Sequence, residues 1–343
     1  MIDRDELAAW LRLLETPKLG RESARRLLAA FGSAQAVFEA SGSAHREVLG
    51  ASAATALGAA GDTLAVLVAT TLNWLHADAS QPRNVITLGD THYPHTLLET
   101  ADPPLLLYAQ GRPEFLQTAA VAVVGSRNPT PQGADNARAF ATHLSRAGLT
   151  VVSGLALGID AAAHEGGLEG AGSTVAVVGT GLDRVYPRAN RGLAHRIAER
   201  GLILSEYSLG TPPLPANFPI RNRIIAGLSR GTLVVEAALQ SGSLITARMA
   251  IESGRDVFAI PGSIHSPQAR GCHALIKQGA KLVDSAQDIL EDFKLTGLPQ
   301  TAPVANAGSA TPAPAGSPDP VLAALGFDPA TLDALVARTG WPA

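Results

Sequence analysis

The chain has 343 residues, of which 46% are hydrophobic and 17% are charged, and its formal net charge is −3. This length allows a large core and more than one folded unit. The net charge excludes a positive field over the whole protein, so binding of nucleic acid would need a local cluster of cations. The single cysteine, Cys272, excludes an internal disulfide and a thiolate metal site and favours a reducing compartment.

The amino-terminal region, residues 1–82, predicts a small helical domain. Its first residues, "MIDRDELAAW", lack the pattern of a signal peptide, and no stretch is long and apolar enough to cross a membrane, so we expect a cytoplasmic protein. The segment "TPKLGRESARRLLAAFGSAQAVF" predicts two short helices joined by a turn that contains glycine. Such a hairpin can hold a phosphate backbone through its turn amides. The alternative is a packing module in which four cations form a solvated surface: Lys18, Arg21, Arg25 and Arg26.

Residues 83–295 predict a doubly wound α/β core. Seven short runs rich in β-branched residues alternate with longer amphipathic stretches, and most runs are apolar on both faces, as strands of a parallel sheet covered by helices are. The predicted strands are 120–125, 149–154, 173–179, 202–207, 232–237, 256–262 and 281–284.

The carboxyl-terminal region divides into a linker and a partial domain. Residues 296–318 combine Pro, Ala, Gly and Ser without periodicity and predict a flexible linker. Residues 319–343 contain two short helical patterns, the second with Asp328 as its predicted N-cap and Pro329 at its first helical position. The chain ends before a third element, so we expect an incomplete domain.

Small residues follow the predicted strands at the edge of the sheet where ligands of open α/β folds bind. They would let backbone amides approach a ligand, and helix amino termini there favour phosphate. The alternative for any one of them is a tight turn without a ligand. They are Gly125, Ser126, Ser153, Gly154, Gly158, Gly179, Gly181, Ser241, Gly242 and Ser243.

Cations at the same edge favour a phosphodiester ligand. Arg127 follows the first loop, and Arg188 and Asn190 lie in "YPRAN". In "FPIRNRIIAGLS", residues 221 and 223 are too close along a helix to share one side, so one of Arg221 and Arg223 would contact the ligand while the other braces it. Pairing with Glu206 or Glu236 is the alternative. Phe218 and Tyr186 would supply flat surfaces for stacking bases.

The motifs together resemble the DNA-processing protein A (DprA, or Smf) family. They are "VAVVGSR", "VVSGLALGIDAAAH", "GSTVAVVGTGLDRVYPRAN", "SEYSLGTPP", "FPIRNRIIAGLS", "VVEAALQSGSLITARMAIESGRDVFAIPG" and "GCHALIKQGAKLV", and they span roughly residues 84–293. The resemblance implies an extended Rossmann-like core with a mainly parallel sheet. It also implies an amino-terminal domain of the SAM or helix-hairpin-helix kind and a partial winged-helix-like end.

The function implied by the resemblance is binding of single-stranded DNA in natural transformation, with loading of the RecA recombinase and no enzymatic activity. It implies a pocket lined by Arg127, Arg188 and residues 221–223, and a homodimer surface near His273, Ile276 and Leu282. The family often has a cation before "FP", whereas residues 214–216 are Leu, Pro and Ala. The candidate DNA-binding residues are Gly125, Ser126, Arg127, Ser153, Gly154, Arg188, Asn190, Phe218, Arg221, Asn222, Arg223, Ser241, Gly242 and Ser243.

Two enzyme-like alternatives and several weaker patterns remain. The core also resembles phosphoribohydrolases of the lysine-decarboxylase-like group, but "SGSLITARMA" has no carboxylate until Glu252. Dinucleotide binding at "GTGLDR" with Glu206 lacks the third glycine, since position 184 is arginine. Asp160 is expected to cap its helix and His164 to hydrogen-bond locally, rather than to form an acid–base pair. No metal or cofactor motif is present.

Overall fold

The computed structural model describes residues 2–58, 63–77, 81–295, 321 and 332–341. The chain forms two compact units, residues 1–296 and 297–343.

The first unit begins with six helices. Helix α1 starts after Asp3, whose carboxylate accepts hydrogen bonds from the backbone N–H of Asp5 (2.9 Å) and Glu6 (2.8 Å). Its Leu7 and Leu11 lie one turn apart and are fully buried, so this face packs against the following helices. The helices are α1 (Arg4–Glu15), α2 (Arg21–Phe31), α3 (Ala34–Glu39), α4 (Gly42–Leu49), α5 (Ala51–Ala56) and α6 (Leu64–His76).

A nine-stranded sheet forms the centre of this unit. Its order is β1-β2-β6-β5-β4-β3-β7-β8-β9, in which β1 and β2 pair antiparallel with each other, β2 pairs antiparallel with β6, and all other pairs are parallel. The strands are β1 (Arg83–Thr87), β2 (Leu106–Gly111), β3 (Ala120–Val124), β4 (Thr150–Ser153), β5 (Thr174–Val177), β6 (Leu202–Ser205), β7 (Gly231–Val234), β8 (Asp256–Ala259) and β9 (Lys281–Leu282).

Helices cover both faces of the sheet. In chain order they are α7 (His95–Leu98), α8 (Pro131–Arg146), α9 (Ile159–Gly167), α10 (Arg191–Arg200), α11 (Asn217–Leu228), α12 (Ser243–Glu252), α13 (Arg270–Lys277) and α14 (Ala286–Asp292), with 3-10 turns at Pro113–Gln117 and Arg188–Asn190. Alternate strand residues separate two cores: Val121 and Val123 pack with α8, α9 and α14, whereas Ala122 and Val124 pack with α11, α12 and α13. This is the doubly wound arrangement predicted for the core, and that prediction is confirmed.

All seven predicted strands lie in the sheet, each shorter than predicted. The strands β1 and β2 were not predicted. They extend the sheet beyond β6, and their inner face packs on the amino-terminal helices through Val85, Leu106 and Tyr108.

The second unit contains helix α15 (Leu332–Thr339) among its described residues. The predicted linker at 296–318 and the predicted cap at Asp328 and Pro329 lie outside the described residues. The predicted domain boundaries at 82, 295 and 318 stay predictions. Within the described ranges, no helix is long and apolar enough to span a membrane, and no group of three or more His, Cys, Asp or Glu side chains is placed to hold a metal ion.

Candidate nucleic-acid interface

The candidate site lies at the carboxyl-end edge of the parallel strands. The chain passes from β3 to its neighbour β4, and it reaches β7, the neighbour on the other side of β3, only after β6. The helices that follow β3 and β7 therefore pack on opposite faces of the sheet, and we call the place between their amino ends the crevice, where open α/β sheets bind ligands.

Arg127 is an exposed cation in the loop after β3. The backbone N–H of Ser126 donates to the carbonyl of Glu236 at the end of β7 (2.7 Å). The Glu236 carboxylate accepts from the N–H (2.9 Å) and the hydroxyl (2.6 Å) of Thr130, the N-cap of α8. Glu236 thus fastens the loop after β3 to the end of β7. Among the described residues, no carboxylate lies within ion-pair distance of Arg127.

The loops after β3 and β4 approach each other closely at Gly158. Its φ of +79° lies in the left-handed region, and a Cβ there would lie 2.6 Å from the carbonyl oxygen of Arg127. Only glycine allows this contact. The amino terminus of α9 is therefore packed directly against the loop that carries Arg127.

Arg221 is buried beneath the edge, with 5% of its surface exposed. Its guanidinium donates to the carbonyl of Gly154 (2.6 Å) and to that of Val177, the residues at the ends of β4 and β5, and its Nε donates to Asn222 Oδ1 (3.0 Å). A Cβ at Gly154 would collide with this guanidinium. Burial lowers the pKa of Arg221, and the charge of Asp160 opposes that shift. In this conformation Arg221 supports the loops rather than facing solvent.

Arg223 lies on another side of α11, in a cluster of five charged residues that we call the Arg223 cluster. Its side chain, 14% exposed, pairs with Glu206, and its Nε lies 3.0 Å from Asp102 Oδ2. Asp102 also pairs with Arg21 (2.6 Å) and Arg25 (2.6 Å) of α2. Burial raises the pKa of Asp102, but the three guanidinium groups outweigh it and hold the value at about 2.

The Arg223 cluster answers two questions that the sequence left open. Arg223 pairs with Glu206, which was the alternative to contact with the ligand. The Glu206 carboxylate is therefore engaged, and dinucleotide binding has no acid for the ribose at this position. Arg21 and Arg25 do not form a solvated surface, because they join α2 to the core through Asp102.

The "YPRAN" segment presents one cation and one aromatic ring, which packs on Phe218 of α11. Arg188 is exposed, and among the residues that the structure describes no carboxylate lies within ion-pair distance of it. Tyr186 is 48% exposed and lies against Phe218, with ring centroids 5.4 Å apart and planes inclined by 36°. Asn190 is buried and donates to the carbonyls of Leu155 (2.9 Å) and Ala156 (3.1 Å), so it positions the loop after β4.

The loop after β7 forms the other side of the crevice. Gly242 is exposed, and a Cβ there would meet no atom within 4 Å. The hydroxyls of Ser241 and Ser243 are 2.7 Å apart, and Ser243 begins α12. This helix has its amino terminus at the crevice, as predicted for an anion-binding edge.

The fourteen predicted residues therefore fall into two groups. Those with exposed or half-exposed surface at the edge are Gly125, Arg127, Arg188, Phe218, Asn222, Arg223, Ser241 and Gly242, of which Arg223 is engaged by carboxylates. Those that are buried are Ser126, Ser153, Gly154, Asn190, Arg221 and Ser243. Ser153 illustrates the second group, since its hydroxyl donates to the carbonyl of Val123 (2.7 Å).

The remaining polar patterns are structural. Asp160 accepts from the N–H groups of Gly154 (3.1 Å) and Ala156 (3.3 Å), so it ties the preceding loop instead of capping its own helix. His164 is fully buried against Thr174 Oγ1 (2.7 Å), and burial lowers its pKa to about 3, so it is neutral. His273 contacts the carbonyl of Gly262 (2.9 Å).

Arg184 and Arg191 were missed by the sequence analysis as candidate site residues. They flank the "YPRAN" motif, and the spacing of arginines at 184, 188 and 191 was the available signal. Both are exposed beside Arg188 and Tyr186 and line the same groove.

Comparison with known proteins identifies the chain. The family model of the DNA recombination-mediator protein A matches residues 84–294. The chain belongs to the DprA family. The DprA-like N-terminal HHH domain matches residues 4–47, and the DprA winged helix domain matches residues 305–343, so the predicted family and fold class are confirmed.

Two curated relatives in the DprA family are similar over most of their own length. The DNA processing protein DprA of Streptococcus pneumoniae is 52% identical over 205 residues, which are 60% of this chain and 72% of that protein. The protein Smf of Escherichia coli is 44% identical over 280 residues, which are 80% of this chain and 74% of that protein.

Two solved DprA structures share the fold. DprA from Streptococcus pneumoniae has a TM-score of 0.72 and 39% identity, covering 83% of this chain and 97% of that chain. DNA processing protein A from Helicobacter pylori, described for its single-stranded DNA binding mode, has a TM-score of 0.57 and 31% identity, covering 62% of this chain and 95% of that chain.

The DprA family is a family of recombination mediators and not of enzymes, which confirms the prediction that the chain is not an enzyme. In α12 the first carboxylate is Glu252, about 13 Å along the helix from Ser243 at 1.5 Å per residue. The acid that the phosphoribohydrolase alternative expects soon after this loop is therefore absent from the start of α12.

Proposed function

We propose that this DprA-family chain binds single-stranded DNA along the carboxyl-end edge and acts in DNA processing during natural transformation. The observation that carries the proposal is the pair of exposed cations, Arg127 and Arg188, which follow β3 and β5 and are not engaged by carboxylates of the described residues. These strands are two interstrand spacings apart, about 10 Å. The two loops are therefore close enough for one short stretch of sugar-phosphate backbone to reach both.

The fourteen candidate residues have two roles in this proposal. Arg127, Arg188 and the exposed loop at Gly242 contact the sugar-phosphate backbone, and Phe218 with Tyr186 supplies a surface for a base. The buried members position these loops. Arg221 does so through the ends of β4 and β5, and Asn190 does so through the loop after β4.

Single strands are the expected ligand rather than duplex. The Tyr186–Phe218 pair is useful only to a base that is not stacked on its neighbours, and the cations lie at one edge of a sheet instead of on an element that fits a DNA groove. The Helicobacter pylori relative described for binding single-stranded DNA supports this choice.

The test compares Arg127→Ala with Arg146→Ala. Arg146 is exposed in the last turn of α8, which leads to the amino end of β4, so it is a matched arginine at the opposite edge. We expect Arg127→Ala to weaken binding of all oligonucleotide sequences alike and to lower the salt slope by about 0.7, while Arg146→Ala leaves both unchanged. Unaltered affinity of a folded Arg127→Ala variant would contradict the proposal.

We further propose a cytoplasmic homodimer that loads RecA, as the family resemblance implies. Leu282 is 49% exposed on β9, a two-residue strand at the edge of the sheet, and Ile276 is half-buried on the adjoining α13. An exposed apolar side chain at a sheet edge supports self-association through this surface. Acceleration of RecA filament assembly on coated single strands is the measurement for the loading role.

A further inference from the structure

A groove of about 560 Å³ opens on the face of the sheet that α10 covers, between α10 and α6. Its floor runs across three neighbouring strands, because Arg83 on β1 lies opposite Gln110 on β2, and Gln110 lies opposite Ile203 on β6. Residues opposite each other in a sheet point to the same face. The volume is within the range of sites that bind small organic ligands.

The walls of the groove are one side of α10 and the indole of Trp74. Arg191, His195 and Ala198 recur at helical spacing, so they form a single side of α10 over about 10 Å. Trp74 lies across from them, with its ring 5.4 Å from the guanidinium carbon of Arg83. The Nε of Arg83 is buried and has no hydrogen-bond partner in the described structure.

The lining has an excess of positive charge. Four arginines line the groove, Arg83, Arg184, Arg188 and Arg191, against the single carboxylate of Asp183, and the guanidinium of Arg83 donates to the carbonyl of Trp74 (2.9 Å). Asp183 pairs with Arg184 (3.1 Å) and accepts the N–H of Gly210 (2.8 Å). Neither Arg188 nor Arg191 has a carboxylate within ion-pair distance among the residues described. Phosphate groups match such a lining.

The groove is continuous with the carboxyl-end edge. Tyr186 and Arg188 line the mouth of the groove and also belong to the loop after β5. A strand that follows the edge from Arg127 to Arg188 therefore reaches a residue of the groove lining at Arg188, and β6, β2 and β1 come next in the sheet.

We propose that this groove is a second DNA subsite, which takes the single strand onward from the edge. The phosphates lie against Arg188 and Arg191, and a base lies over Ile203 beside the amide of Gln110. This inference rests on the proposed function. The wall of about 10 Å along α10 lengthens the surface that the strand contacts.

The experiment measures affinity as a function of oligonucleotide length. Oligothymidylates from about four to about sixteen nucleotides, the range that small single-strand-binding folds cover, are titrated into the full chain and into its Arg191→Ala and Arg196→Ala variants. Arg196 is the matched control, because it lies on α10 outside the groove lining and faces Glu165 (3.6 Å). Circular dichroism melting verifies that each variant is folded.

We expect the wild-type chain and Arg196→Ala to bind longer oligonucleotides more tightly than short ones. Arg191→Ala should match them on the shortest ligands and fall behind on the longer ones, with a salt slope lower by about 0.7 and an affinity lower by about fivefold at about 0.1 M salt.

Three results would overturn the subsite. Arg191→Ala binding like wild type at every length would overturn it and leave the edge site intact, and this is also the pattern expected if the groove takes free nucleotides instead of a strand. A loss equal at all lengths would assign Arg191 to the edge. The absence of binding by the wild-type chain at any length would overturn the subsite and the proposed function together.

Discussion

Replacement of Arg221 by methionine tests whether this arginine positions the loops or contacts DNA. The change removes the donors that hold the carbonyls of Gly154 and Val177 and leaves the buried Asp160 without its neighbouring charge. Each unpaired buried carbonyl costs about 1–3 kcal/mol. Loss of one partner from a buried charged group costs about 3–5 kcal/mol in total.

We therefore expect Arg221→Met to lower the free energy of unfolding by about 3–5 kcal/mol, which corresponds to a fall in Tm of roughly 6–20 °C for a unit of this size. Arg221→Lys keeps the charge but reaches fewer acceptors, so it should lose less stability. Urea unfolding followed by circular dichroism measures the free energy of unfolding of both variants. If the m-value equals that of the wild-type chain, a shift in the urea midpoint reflects a change in stability.

An Arg221→Met variant that is as stable as the wild-type chain would contradict this prediction. In that case the contacts with the ends of β4 and β5 contribute nothing measurable. If the same stable variant also lost affinity for single-stranded DNA, Arg221 would be a direct contact and the buried conformation would not be the one that binds.

Three further predictions concern the supporting structure. Gly154→Ala should displace the guanidinium of Arg221 and reproduce the instability of Arg221→Met, and the double variant should be much less than additive in urea unfolding. Asp102→Asn should cost about 1 kcal/mol at neutral pH. Because the pKa of Asp102 is lowered from 3.8 to about 2, its stabilisation is present above 3.8 and is lost as the pH falls through about 2, so the unfolding midpoints of wild type and variant should converge there. For the proposed dimer, Ile276→Glu should sediment as a monomer in the ultracentrifuge. If Ile276→Glu still forms a dimer of unchanged stability, the interface lies elsewhere on the protein.

Much of the fold could be predicted from local sequence. Runs such as "AVAVV" at 120–124 are apolar on both faces, and only a sheet covered by helices on each side buries both. The two antiparallel strands at the sheet edge were missed, because β1 is buried only in part and its pairing with β2 depends on segments about 20 residues apart.

The site could be predicted less completely, and the arginines of α11 show why. Their separation along a helix implies that residues 221 and 223 point in different directions, and this is visible in "RNR" itself. The residues that each arginine contacts cannot be predicted from this segment. Asp102 meets Arg21 across 81 residues of sequence and meets Arg223 from another loop, so the sequence around "RNR" contains no sign of the Arg223 cluster.

The sequence by itself determined the layered α/β core, the small residues after its strands and the family, because these depend on side-chain pattern and residue type over short distances. The tertiary structure alone decided which cations are left for a ligand. An exposed guanidinium can meet a phosphate directly, whereas one that carbonyls or carboxylates engage must first give up those contacts. Such acceptors reach Arg221 and Arg223 from distant segments, while Arg127, Arg188 and Arg191 remain exposed.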